Sequence, residues 1–586
     1  MKKRMLTLFV LLLALAFSTA CAEDARFTAG TYTGSAVGFH GKLLVEVKVS
    51  DQDILNVTVG ENNETYHVGE AAFPILEKSI VENQSLADVV TGATITSRAV
   101  TNAVADALKK AKVSDETLKT LKAAEIAQTV YADTETDIVI VGAGIAGMVA
   151  AMQAKEITDN VILLEKNTLV GGSGRLSAGG MMLVGAEEFT DSVYTAEDVH
   201  RWFSVQAGPV TNDPVFFEVM NRSKDMLSYI KENGYTVTDV AKCQSKLAPI
   251  FRNVNTDHYG MGLSDALESA VVKKNIDLRC NTTVTALVQN ENGVVEGVVA
   301  KNAAGSYTIR AKKVILATGG FSHNKEMLNE YAPFWNGAFI IAASGADGDG
   351  HRMGLQAGGH IVGNGAMQIY VTNYDPSLIG NMPGNIPLFV GTDGNQFCAC
   401  DEYYGTIAPK IQALEDKTAY AIFSSDNTYY QFDYNGTGRA MKVSDMDALV
   451  EEGRLVKADT IEELAAKIGI EPAALQRSVN EHNWFYDLQI NDAWGTAAAK
   501  LQPIKTGPYY AGRQVACVMG TIPGLEINTA MQVVNANGQP IENLYAAGEL
   551  VFGNVFNRQY PMAGTGIGIA MSTGYLAGQN AANALN

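Results

Sequence analysis

A chain of 586 residues, 47% apolar and 18% charged, is long enough for roughly two to four domains with a large core. Its formal charge of −19 argues against a nucleic-acid partner, which selects for a basic footprint. After the N-terminus no uninterrupted apolar run approaches the roughly 20 residues of a helical membrane span. That excludes a helical channel and leaves small molecules or proteins as partners.

Chain order begins with an address. Lys2, Lys3 and Arg4 precede apolar residues 6–17, the pattern and length of a secretory signal, so residues 1–22 are expected to direct an extracytoplasmic location. Two readings of its end stay open. Ser18-Thr19-Ala20-Cys21 is a lipoprotein site with Cys21 acylated, although Ser18 stands where the usual pattern has Leu; Ala20-Cys21-Ala22 is an ordinary A-x-A cleavage site. The protein is then either membrane-anchored or secreted.

The next block, residues 25–112, reads as a small β-rich unit closed by a helix. Residues 41–50 alternate through Leu43, Val45, Val47 and Val49, and residues 54–59 return. Ser97 is placed as the helix cap, with Val100, Ala103, Val104, Ala107, Leu108 and Ala111 on one apolar face. Just before it, Asp88-Val89-Val90-Thr91-Gly92-Ala93-Thr94 leaves a phosphate-sized gap at a helix N-terminus. From the residues alone this is equally a turn with a cap. D-x-x-T-G-A-T is similar to the flavinylation sequence of FMN-binding domains, and Gly30-Thr31-Tyr32-Thr33-Gly34 resembles that family too. The resemblance implies FMN held covalently, by a phosphoester on Thr94, and a flavin transferase for maturation. Residues 113–134 are polar and read as a linker, in part helical.

The third block opens with a strand at residues 138–141, then Gly142-Ala143-Gly144-Ile145-Ala146-Gly147, a helix, a strand at 161–164 and Glu165. This is G-x-G-x-x-G between strand and helix with an acid about 20 residues on. The glycines Gly142, Gly144 and Gly147, with Ala146, admit a pyrophosphate to the helix N-terminus, and Glu165 accepts from a ribose hydroxyl. Several further segments resemble the succinate dehydrogenase/fumarate reductase flavoprotein superfamily across most of residues 135–586. These are Gly171-Gly172-Ser173-Gly174, Ser177-Ala178-Gly179-Gly180, residues 314–321 (VILATGGF), residues 345–354 and residues 543–549 (NLYAAGE).

That resemblance implies non-covalent FAD, with Lys166, Gly172, Ser173, Ser177, Gly179, Gly180, Thr318, Gly319, Gly320, Gly548, Glu549, Gly564, Gly566 and Ile567 as further cofactor residues. The fold class follows: α/β, a Rossmann-like FAD-binding domain (135–369 and 516–586) with an inserted α+β capping domain (370–515), preceded by the small α+β FMN-binding domain. The two-flavin arrangement without haem looks like the urocanate reductase type.

In that family hydride passes to the β-carbon of a C=C whose carboxylate or carbonyl is held by Arg, and an acid protonates the α-carbon. Asn557-Arg558 matches the substrate-binding N-R, so Arg558 is the expected clamp. The chain departs from the fumarate reductase pattern elsewhere. Tyr370 stands in place of one substrate His, Ala516-Cys517-Val518-Met519-Gly520 lacks the other, and after residues 419–423 the acid Arg is replaced by Ser424-Ser425-Asp426. Fumarate itself is therefore not the expected substrate. Tyr560-Pro561-Met562-Ala563-Gly564 is similar to the Y-P-x-x-G of 3-ketosteroid dehydrogenases, which makes Tyr560 a second electrophile. Tyr370, Tyr429, Tyr430 and Arg439 are the proton-donor candidates.

The expected activity is reduction of an activated alkene by electrons from a membrane or extracellular donor, through FMN and FAD. The alternatives are a ketosteroid-dehydrogenase-like desaturase and an electron-transfer flavoprotein without its own substrate. No metal is expected: none of the eight histidines forms an H-x-H or H-x-x-x-H pair. Of the six cysteines, Cys398 and Cys400 read as buried thiols.

Overall fold

The computed structural model describes residues 25–38, 41–60, 62, 64, 69–90, 93–121, 130–177, 179–185, 194–242, 252–256, 259–365, 367–373, 388–402, 404–426, 429–432, 438–441, 443–451, 453, 455–562 and 564–585. They fall into two compact units, divided between residues 127 and 128. The proposed signal and Cys21 lie outside the described residues. Among those described, no helix is long and apolar enough to cross a membrane.

In the first unit the alternation at residues 41–50 builds an antiparallel meander of Gly30–Gly38, Gly41–Val49 and Ile54–Val59. Leu43, Val45, Val47 and Val49 are buried beneath the Thr94–Lys110 helix, whose Val100, Ala103, Val104, Ala107 and Leu108 are buried in turn. Helix and sheet meet closely at Gly34, where a Cβ would lie 1.8 Å from the Ala103 carbonyl oxygen.

Two expectations for this unit need correction. A second long helix, Gly69–Asn83, is present although Pro74 interrupts its sequence; Ala72, Leu76 and Ile80 bury one face of it. The closing helix starts at Thr94, with Ala93 as its cap, not at Ser97. Ser97 Oγ instead donates to the Ala93 carbonyl at 2.8 Å and accepts from Val90 N–H at 3.1 Å, so the hydroxyl that suggested a cap is a buried tie behind the first turn. Within residues 113–134, Asp115–Thr120 is a helix capped by Ser114, and Val113 and Leu121 are buried.

The second unit is built on an eight-stranded sheet. Its parallel centre runs Pro540–Ala546, Gly305–Leu316, Thr134–Val141, Val161–Leu164 and Asp277–Arg279, in register through Leu544↔Val314↔Val139↔Ile162. Val295–Asn302 and Thr283–Gln289 extend it antiparallel. The central strand begins at Thr134, four residues ahead of the expected one.

Two helices seal one face. Ile145–Lys155 is buried nearly all round, and the C-terminal helix Thr565–Asn583 lies against it through Gly574 and Gly578. A Cβ at either glycine would stand 2.3 Å from the carbonyl oxygen of Ala146 or Ala150. A six-stranded sheet joins Phe339–Ile340, Met367–Asn373, Leu388–Gly391, Thr418–Ser424 and Val456–Ala458 around the long strand Tyr509–Thr521. Two of these strands, Met367–Asn373 and Tyr509–Thr521, run across the expected capping-domain boundaries at 369/370 and 515/516.

Candidate functional site

The glycine-rich turn follows the end of the central strand. Gly142 has φ +101°, a conformation open to glycine, and a Cβ at Gly147 would lie 1.8 Å from the Gly142 carbonyl oxygen. Turn and helix can close this tightly only without side chains. Gly144, Gly172 and Gly319 face the other way: a Cβ there would meet nothing nearer than 3.6 Å, which leaves a cradle of bare backbone.

Thr318 Oγ1 is buried with no hydrogen-bond partner, and a Cβ at Gly350 would lie 2.1 Å from it. Open backbone, an orphaned hydroxyl and the start of the Ile145–Lys155 helix together fit the diphosphate and ribityl parts of a dinucleotide.

Glu165 is buried at the end of Val161–Leu164. Its carboxylate accepts from the N–H groups of Ala143 and Asn167, both at 2.9 Å. Burial nevertheless raises its pKa, the desolvation outweighing those bonds. Each oxygen keeps a second lone pair for a ribose hydroxyl. Lys166 Nζ is held by Asp347 and Asp349, each at 2.8 Å. The pair fastens residues 345–350 over this end of the sheet, a tie that the separation of 181 residues hides from sequence reading.

Ser173 Oγ accepts from Ala343 N–H at 3.1 Å, and Ser177 Oγ accepts from Gly179 N–H at 3.2 Å. Gly320 is in contact with Glu549, where a Cβ would lie 1.9 Å from Oε1. That oxygen accepts from Thr521 N–H at 2.6 Å and Thr521 Oγ1 at 3.2 Å, while desolvation pushes the carboxyl up to about 7. Gly548, at φ +77°, donates its N–H to Thr573 Oγ1 at 2.9 Å.

At the other end of the chain, Gly564 caps the C-terminal helix at φ +84°. The first turn of that helix, with Gly566 and Ile567, offers its N-terminal dipole. Tyr560 is buried against Phe556, and its hydroxyl accepts from Gly566 N–H at 3.0 Å. The hydroxyl that the ketosteroid motif would turn on a ketone thus accepts here from Gly566, two residues beyond the motif's own Gly564.

Arg558 is exposed, and among the described residues its guanidinium has no acidic partner. Arg175, Arg201, Arg222, Arg279, Arg310 and Arg352 each have one. Its backbone is firmly placed. Arg558 N–H donates to the Ala207 carbonyl at 2.8 Å, and Asn212 N–H donates to that of Asn554 at 3.0 Å. Asn557 Nδ2 donates to the Pro209 carbonyl at 2.7 Å, and Asn557 Oδ1 accepts from Asn364 Nδ2.

Residues 207–212 are thus zipped to residues 554–558. Gly208, at φ +83°, lies under the arginine stem, with an ideal Cβ 3.2 Å from Arg558 Cδ. Sequence reading missed Gly208, Asn212 and Asn364; the Gly208-Pro209 pair and the Asn212 cap before Pro214 were the signals for an ordered turn, but nothing local linked it to residue 558.

The proton-donor candidates lie apart in sequence. Tyr370 is in Met367–Asn373, opposite Cys517; Tyr429 and Tyr430 pair with Met441 and Ala440, and Arg439 with Gln431. Their side chains, together with Ala178 and Ala563 of the quoted motifs, fall outside the described residues. Cys398 and Cys400 are buried, and desolvation raises both thiols, Cys400 up to about 12. His351 is buried, its Nε2–H donating to the Pro523 carbonyl at 3.1 Å, and desolvation lowers it to about 4. Among the described residues no group of three potential metal ligands occurs.

In the first unit, Thr94 is exposed at the start of a 17-residue helix that has no side-chain cap. A free hydroxyl beside unpaired N–H groups suits a phosphate ester. Thr91 and Gly92 of the same motif lie outside the described residues.

Comparison with known proteins agrees with this division. Residues 137–567 match the FAD binding domain family and residues 38–109 the FMN-binding domain family, so both flavin domains expected from the motifs occur in the expected order. A urocanate reductase of Eggerthella lenta is 32% identical, over 91% of this chain and 89% of its own length. The probable fumarate reductase Ifc3 of Shewanella frigidimarina is 31% identical, over 76% of this chain and 75% of its own. The open conformation of a flavocytochrome c3 fumarate reductase has a TM-score of 0.65 at 27% identity, covering 78% of this chain and 79% of that one.

Proposed function

The chain belongs to the FAD-binding-domain flavoproteins related to urocanate and fumarate reductases, and from that premise we propose that it is an extracytoplasmic reductase of an alkene conjugated to one carboxylate or carbonyl. It is a flavin-dependent oxidoreductase acting on CH–CH bonds. When bound, FAD supplies the hydride, and FMN, on Thr94 through a phosphoester, relays electrons from a membrane or extracellular donor.

The observation that carries the reading is Arg558: an exposed guanidinium with no acid to neutralise it among the described residues, on a backbone bonded at several points to residues 207–212. Such a fork grips a carboxylate or carbonyl oxygen and stabilises the negative charge that builds there as hydride adds to the far carbon. Its stem rests on Gly208, so the charge is aimed before substrate arrives. Tyr560, with its hydroxyl already accepting from Gly566, supports the wall of the site. Tyr370, Tyr429 and Arg439 remain the groups proposed to deliver the proton. With no His at 370 or within 516–520, a second substrate carboxylate lacks its clamp, which disfavours fumarate. Maturation would need a flavin transferase, and Cys21 would carry a lipid if the signal is of the lipoprotein type.

An anaerobic assay with reduced viologen against a panel of enoates tests this. Monocarboxylate or carbonyl alkenes are expected to turn over, with fumarate slower. Turnover of saturated ketones alone, with an artificial oxidant, would instead support the desaturase. If no alkene reoxidises the photoreduced flavins, the protein is an electron-transfer flavoprotein.

A further inference from the structure

Arg98 lies four residues after Thr94 on the Thr94–Lys110 helix. It is exposed, and among the described residues it has neither an ion pair nor a hydrogen bond. Helical side chains tilt toward the N-terminus, so a long side chain at this position covers the turn that holds Thr94.

The electrostatics there are specific. Two helix N-termini meet: Gly69 opens Gly69–Asn83, and a Cβ on it would lie 3.0 Å from Thr96 Oγ1 in the first turn of the other helix. Each N-terminus carries about half a positive charge. One anion is already present, because the buried carboxylate of Glu64 accepts from the Thr96 hydroxyl. A phosphodiester on Thr94 brings a second negative charge to dipoles that Glu64 has already matched.

We propose that Arg98 is the counter-ion of the phosphodiester joining FMN to Thr94, and that it orients the flavin on the helix. This rests on the attachment proposed above. A guanidinium is suited to it, since its planar fork gives two parallel N–H bonds to a phosphate.

The test uses the full chain co-expressed with a flavin transferase. Thr94→Ala checks the attachment by itself: a flavin-fluorescent band surviving denaturation in that variant would remove the premise. In flavinylated wild type, Arg98→Ala and Arg98→Lys, the ³¹P resonance of the phosphodiester is followed over a salt series, together with the fluorescence anisotropy of the covalent flavin. The wild-type resonance is expected to move with salt toward that of Arg98→Ala, which itself responds little, and Arg98→Lys to fall between them. Anisotropy is expected to drop in Arg98→Ala and recover in part in Arg98→Lys. An Arg98→Ala chain with the wild-type resonance, salt response and anisotropy would overturn the proposal and leave the Thr94 linkage standing. If Arg98→Ala does not retain flavin, the same comparison is made with Arg98→Lys, where wild-type behaviour at all salts overturns it.

Discussion

At the scale of single residues, the proposed clamp is Arg558, with Gly208 under its stem. Arg558→Ala is expected to lower kcat/KM by about 10²- to 10³-fold, the loss typical of one preorganised electrostatic group, with FAD content and Tm unchanged. Gly208→Ala tests the seating of the same charge. The alanine must adopt φ +83° and bring Cβ within 3.2 Å of Arg558 Cδ. A loss of about tenfold in kcat/KM without loss of FAD is the expected outcome, since a small misplacement of a clamp is enough for that.

Glu549 gives a pH prediction. Its folded-state pKa, about 7, is above the ordinary carboxylate value near 4.3. The stabilisation it contributes is complete below the unfolded value and is lost as pH rises through about 7. The apoprotein's Tm should therefore fall between pH 5 and pH 8, and Glu549→Gln should flatten that slope. Equal slopes in the two proteins would show that the carboxyl does not titrate in this range.

At the scale of elements, the C-terminal helix and Ile145–Lys155 are spaced by absent side chains. A Cβ on Gly574 would be 2.3 Å from the Ala146 carbonyl oxygen, and that oxygen cannot move without its helix. Gly574→Ala should cost about 1–3 kcal/mol, the usual range for overpacking, visible as a lowered Tm. Because Ala146 lies in the dinucleotide turn, FAD occupancy should fall with it. A variant with normal Tm and full FAD would mean that the helices separate freely.

At the scale of the whole molecule, two units imply two separable reactions. Thr94→Ala leaves the second unit untouched, so it should keep FAD and still reduce substrate with a small artificial donor, while losing the covalent flavin band and donor-driven turnover. Loss of FAD in that variant, measured by absorbance after release, would contradict the division of labour.

Much of this was legible in the chain because the signals are local. Leu43 to Val49 alternate, residues 138–165 hold strand, glycine turn, helix and acid in order, and Thr94 ends a contiguous motif; backbone sterics act on neighbours, so such segments declare themselves. Ser97 misled for the same reason: a hydroxyl near a helix start caps or ties according to what lies behind it, and Val90 and Ala93 decided that. The Gly69–Asn83 helix was hidden by Pro74, whose local penalty is outweighed by burial of Ala72, Leu76 and Ile80.

What folding alone decided are the pairings between distant segments: Lys166 with Asp347 and Asp349, Arg558 with residues 207–212, Tyr560 with Gly566, and the strands that run through the expected domain boundaries. The linear sequence thus determined which two flavin-binding domains the chain carries and in which order. The tertiary structure decided which charges are neutralised and which, like Arg558, stay available, because neutralisation depends on proximity in space and not on order along the chain.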